Sequence, residues 1–457
     1  MKQVSFLGFP SYILMVLIAA LMTTGCNKGV NTPNPVPTPT PNPPAPPAAT
    51  LSVSGIKPTT GAYNTAVTIT GTGFGSVTAN DSVYFNGVAA SVYSANDSQL
   101  VAVVQKYTGT GDVVVKVAGV AKTGPLFTYI WTVYENPYAG LQNANENIGS
   151  YVDGPAATAG FWGPAGLVLD NAGNLFVYDV GNSKIREITP PTGNAGSQVS
   201  TYSSLGYPLG ETYVLQPPYF YSLAGQGGTF FGGSYLISAG TSIQLVPAPN
   251  HFSGGVTTPF PTGIYWAPGG CAMDPAGNIY VTSRDNLVII YKSGPGSWAS
   301  IGTPLQPGDV DGTFIFNVAS QPVPGDEPSF SGPTGVVLDS LGNIFVLDAG
   351  NHKIRKVTQS GVVSTFAGSG QNQDQDGTGT NASFSDPLFI TIDASNNLYV
   401  LDNQTTLRKI TPAGVVSTLC SGGCISQGVG GITIDPAGHN LYVSEHQSGV
   451  IYQVSIF

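Results

Sequence analysis

Charge is the scarcest property of this 457-residue chain, with only 9% Asp, Glu, Lys or Arg. What there is leans acidic, to a formal −10, which argues against a surface for nucleic-acid phosphates or anionic lipid. Long stretches of helical periodicity are missing, so the chain reads as all-β. Histidine occurs four times, at His251, His352, His439 and His446, and never as His-x-His or His-Glu-x-x-His. There is also no Gly-x-Ser-x-Gly elbow and no phosphate loop. Together these gaps leave no catalytic constellation in view, and no metal or other cofactor is expected.

Cysteine is nearly as rare, with four in total. Cys26 closes an N-terminal segment with one Lys, an apolar core from Tyr12 to Met22, and Thr24-Gly25 directly before the cysteine. That segment is too short and too polar in its continuation for a spanning helix, and reads as a secretory signal peptide. Residues 27–50 are a proline-rich linker, expected to form a polyproline II stalk of roughly 70 Å at ~3.1 Å per residue. Cys420-Ser-Gly-Gly-Cys424 can close a small hairpin disulfide in an oxidising compartment. Cys271 opens an apolar strand and reads as a buried small hydrophobe.

What is present is turn chemistry, with 60 glycines and 36 prolines. The clearest stretch is SGPTGVVLDSLGNIFVLDAGNHKIRKVTQSGVVSTFAG, from Ser331 to Gly368. It reads as four short strands joined by tight turns, a sheet that cannot bury both of its own faces. Copies begin at Leu167, Cys271, Ile390 and Ile432, and their turn asparagines (Asn174, Asn278, Asn343, Asn397, Asn440) recur at roughly 45 to 65 residues. The first interval is double, and a degenerate copy without the aspartate fills it at Gly233–Val246. Six units of four strands are therefore expected, forming a β-propeller. The last unit ends at Phe457 after its third strand, so residues 131–138 are expected to return as its outer strand and close the ring.

The core D-x-x-G-N-[LI]-[FY]-V-x-[DE] and the strands ending at Arg186 and Arg355 resemble the NHL repeat family, over roughly residue 131 to the C-terminus. Residues 51–130 have the strand rhythm of an immunoglobulin-like sandwich. Their ITGTGFG, VYFNGVAA and GPLFTY segments resemble the IPT/TIG family, which implies a spacer or interaction module. Thr24-Gly25-Cys26 resembles a bacterial lipobox, which implies a diacylated Cys26 and a membrane-anchored protein in the cell envelope.

The repeated acids read as architecture. Asp309-Val-Asp311-Gly312 and Asp374-Gln-Asp376-Gly377 begin like calcium loops but lack the twelfth-position carboxylate, and both align with the turn at Asp153-Gly154. Asp179, Asp348, Asp402 and Glu445 close second strands, where they are expected to accept turn N–H groups. Departures from the repeat are the informative places. Where ordinary copies carry one aromatic before the first strand (Phe330, Phe384), two carry a pair: Phe161-Trp162 and Tyr265-Trp266. The degenerate unit adds Tyr219 and Tyr221 among other rings. Trp162, Tyr265, Trp266, Tyr219 and Tyr221 either stack on a neutral glycan or cover extra core beneath long loops; both readings stay open.

The resulting expectation is a non-enzymatic, surface-exposed lipoprotein whose propeller binds a polysaccharide or a protein partner. A propeller enzyme with a metal in the channel and an envelope scaffold are the alternatives.

Overall fold

In a computed structural model of the chain, the described residues are 50–76, 81–141, 151–170, 172–182, 184–192, 196–204, 222–224, 235–239, 242–246, 268–274, 276, 278–283, 286–291, 298–302, 306–314 and 328–457. The signal segment, Cys26 and residues 27–49 of the linker lie outside them, as do Tyr219, Tyr221, Tyr265, Trp266 and His251.

Alternating apolar residues dictate the N-terminal domain. Val67, Ile69, Leu100, Ala102, Val113 and Val115 occupy every second strand position, and all are fully buried. Strand Ser52–Lys57 pairs with Ala66–Thr72, which pairs with Gln99–Val103. Strand Val88–Asn96 belongs to both sheets of the sandwich: its first residues pair with Asp81–Phe85, and its later ones with Gln99–Val103. The second sheet continues through Gly111–Val117 and Val120–Tyr129. Phe85 and Phe127 meet edge to face in the core with centroids 5.0 Å apart. Packing of this kind, about 1.5–3 kcal/mol per large buried side chain, holds the domain without a disulfide.

Small sheets then succeed one another along the chain. Unit 1 runs through Pro164–Leu169, Leu175–Asp179, Lys184–Thr189 and Gln198–Ser204. Unit 3 has Pro268–Met273, Ile279–Ser283, Leu287–Tyr291 and Trp298–Ile301. Unit 4 has Gly335–Leu338, Ile344–Asp348, Lys353–Val357 and Val362–Ala367. Unit 5 has Pro387–Ile392, Leu398–Asp402, Thr406–Ile410 and Val415–Cys420. Unit 6 has Val429–Ile434, Asn440–Glu445 and Val450–Ile456, and takes its outer strand, Val133–Ala139, from the start of the propeller. The first strands lie side by side around the ring, and that of unit 6 meets that of unit 1.

The blade count differs from the expectation of six four-stranded units. Among the described residues, five sheets have the four strands, and the second unit contributes three, Ser222–Ala224, Tyr235–Ala239 and Ser242–Val246.

In units 1, 3, 4, 5 and 6 the first-to-second strand turn is built on one aspartate. Asp339 Oδ1 accepts the N–H groups of Leu341 (3.0 Å) and Asn343 (2.8 Å), while Oδ2 accepts from Asn343 Nδ2 (2.7 Å). Asp170, Asp274 and Asp393 repeat the arrangement. That is the physical content of D-x-x-G-N: carboxylate, left-handed residue, amide. Two faces result. The turns mark one, here the turn face. The starts of the first strands and the ends of the second mark the other, the mouth face.

The sandwich docks on the turn face, beside unit 6. Tyr107 stacks on His439, and the C-terminal Phe457 packs against Tyr63 and Tyr134. Thr132 and Phe457 exchange two backbone hydrogen bonds at the joint.

Candidate functional site

The mouth face is held by three buried arginine clamps. In unit 4, Arg355 reaches Asp348 (3.0 Å) and Asp311 (2.6 Å). Unit 1 repeats this with Arg186, Asp179 (2.9 Å) and Asp153 (2.6 Å), and unit 5 with Arg408, Asp402 (3.3 Å) and Asp376 (3.0 Å). Each guanidinium also bonds two backbone carbonyls and lies against Phe161, Phe330 or Phe384. The single aromatics thus belong to the core, and Phe161 does the same work as Phe330 and Phe384.

The second-strand aspartates do accept turn N–H groups, from Trp162, Ser331 and Ser385. They also hold the arginine, which sequence reasoning missed; the repeated K-I-R and L-R-K beside D-x-D-G was the available signal. Burial pushes the Asp348 carboxyl up to about 6. Asp402 is pushed up to about 7, chiefly by burial, with Asp374 beside it adding to the effect. For Asp311 burial pushes upward, but the Thr365 N–H and the Arg355 guanidinium outweigh it and hold the carboxyl below its ordinary range.

Trp162 is the candidate ligand residue that can be placed. Its N–H donates to Asp179 Oδ1 at 2.7 Å, and Ser331 and Ser385 make the same bond from the same position in units 4 and 5. The architectural duty here therefore belongs to the backbone, and serine performs it as well as tryptophan. The residue as a whole is 50% exposed. It lies over Gly181, where an added Cβ would come within 2.4 Å of Trp162 Cδ2. Beside it, the His446 ring packs on Gly163, whose φ of +61° and missing Cβ admit the imidazole. Burial lowers the His446 pKa, against the carbonyls of Gly163 and Pro164, which favour its protonated form. Units 1, 4 and 5 have Val180, Ala349 and Asn403 at the corresponding place, so His446 departs from their pattern.

Elsewhere, Cys420 and Cys424 are joined by a disulfide, and Cys271 is buried. Ile425, fully buried, takes the aromatic's place in the short connection into unit 6. Among the described residues, no three His, Cys, Asp or Glu side chains converge as a metal would require.

Residues 51–129 match the IPT/TIG domain family, and residues 330–357 match the NHL repeat family. The chain carries an IPT/TIG domain followed by an NHL-type propeller. Among solved structures it is similar to a protein of unknown function from Bacteroides thetaiotaomicron VPI-5482, at 18% identity over 91% of this chain and 99% of that one, with a TM-score of 0.51. It is also similar to an auxiliary nutrient binding protein from Bacteroides ovatus ATCC 8483, at 17% identity over 89% and 98%, with a TM-score of 0.50. At these identities the likeness is one of fold. No curated protein matches the sequence.

Proposed function

We propose that this is a non-enzymatic, lipid-anchored binding protein of the bacterial cell envelope. It is tethered through Cys26 and the proline-rich stalk, and presents the mouth face of its propeller to a polysaccharide. The observation that carries this reading is Trp162. A large flat ring stands half-exposed where the fold needs only a backbone N–H and units 4 and 5 have serine. Exposed aromatic area of this kind suits the apolar face of a sugar ring. The polarity of the molecule supports the same reading. The NHL-type propeller meets the IPT/TIG domain by its turn face, at Tyr107 and His439, leaving Trp162 on the opposite face.

Affinity electrophoresis of the full chain through gels containing neutral polysaccharides tests this. Retardation that Trp162→Ala abolishes is the expected result. Retardation by no polysaccharide would turn the reading toward a protein partner.

A further inference from the structure

Resting on the glycan reading above, we infer that the mouth face selects uncharged glycan chains and excludes those bearing carboxylate or sulfate. The three clamps are asymmetric toward solvent. Arg186, Arg355 and Arg408 have fully buried side chains, whereas Asp153, Asp309, Asp311, Asp374 and Asp376 are 41–52% exposed. The positive member of every clamp is hidden, and what each clamp shows to solvent is carboxylate. Asp309 and Asp374 lie against the guanidiniums of Arg355 and Arg408 at 3.5 and 3.6 Å.

At the mouth itself unit 5 adds Asp386, an exposed residue in the place of Gly163 and Gly332 of units 1 and 4. Its backbone is engaged, its N–H donating to Asp402 and its carbonyl accepting from Asn403. Unit 6 contributes Glu135 and Glu445 and has Tyr452 at the register position of the arginine, so its carboxylates have no guanidinium between them.

Recognition of an anionic sugar calls for a free guanidinium or ammonium. Among the described residues of this arc, Lys353 is paired with Asp309 at 2.5 Å, Lys184 lies over the Tyr151 ring, and Lys356 and Lys409 lie over rings toward the turn face. Arg284 of unit 3 lies outside the described residues, so the claim concerns the arc of units 4, 5, 6 and 1. An anionic chain laid across Trp162 would meet carboxylates on both sides of the seam. A neutral one would meet the indole, His446 and hydrogen-bond acceptors.

The test compares matched polymers on the full chain in detergent, with methyl-esterified pectin against its de-esterified form, and cellulose oligosaccharides against their carboxymethylated forms. The neutral member of a pair is expected to bind at least tenfold more tightly at low ionic strength, with the gap closing as salt is added. Asp386→Lys should narrow the gap at low salt, with an unchanged melting temperature showing that the fold persists. Equal or tighter binding of the anionic member would overturn this inference and leave the glycan reading standing. A gap that neither salt nor Asp386→Lys alters would also overturn it, because charge would not be its cause. Binding of no member of any pair would remove the glycan reading and this inference together.

Discussion

Tyr107 of the sandwich lies flat on His439 of unit 6, with ring centroids 3.5 Å apart and planes within 8° of parallel. His439 is an insertion: its turn places four residues between Asp435 and Asn440, where units 1, 3, 4 and 5 place three. Asp435 still caps the turn, accepting from the His439 and Asn440 N–H groups at 2.8 and 3.1 Å. The extra residue thus costs the turn little and gives the sandwich a ring to dock on.

Docking of this kind sets a first expectation. Tyr107→Ala should weaken the joint by about 1 kcal/mol, the scale of one aromatic pair, without unfolding either domain. Limited proteolysis at the 130–132 joint is the measurement. Faster cleavage in the variant is expected, and an unchanged rate would mean that Phe457, Tyr63 and Thr132 hold the joint alone.

The clamps predict a large loss from a small change. Arg408→Met leaves Asp402 buried without its counter-charge, and removing one partner of such a pair costs about 3–5 kcal/mol. Urea unfolding should show that loss. Lys409→Met, one residue along the same strand, should move the midpoint far less.

The same carboxylate predicts a pH dependence. Asp402 has a folded-state pKa of about 7 against an ordinary 3.8. The folded state therefore binds its proton more tightly than the unfolded chain does, and the stability this gives is fully present below about 3.8 and lost as pH rises through about 7. Asp402→Asn cannot ionise. The stability of wild type minus that of Asp402→Asn should accordingly fall between pH 5 and pH 8.5, read from urea midpoints at each pH. A constant difference would show that Asp402 is already ionised at the lower pH.

Much of this fold was legible because each blade repeats its chemistry. The turn aspartate and asparagine are close in sequence, so D-x-x-G-N announces its own hydrogen bonds. The clamp was less legible, because Arg355 meets Asp311 across 44 residues and only the fold brings them together. Trp162 stood out as a departure from the repeat, yet whether its ring was core or surface depended on Gly181, 19 residues away, leaving room for it. Its neighbour His446 comes from the far end of the propeller and becomes a neighbour only when unit 6 closes on unit 1.

The Cys420–Cys424 bridge spans the short connection into unit 6, the unit that closes the ring. A loop this small contributes about 2 kcal/mol through the unfolded state. Replacing both cysteines with serine should lower stability by that order in calorimetry, with the mouth face unchanged. A loss several times larger would mean that the bridge is required for closure itself.

The central claim is that the Trp162 indole is kept for a ligand and not for the fold. Isothermal titration of a neutral polysaccharide retained in the gel screen, into wild type, Trp162→Phe and Trp162→Ala, tests it most directly. The account predicts that Trp162→Ala loses at least about tenfold in affinity, near 1.4 kcal/mol, that Trp162→Phe keeps part of it, and that all three melt together. Equal affinity in all three, or a melting temperature that collapses in Trp162→Ala, would contradict it.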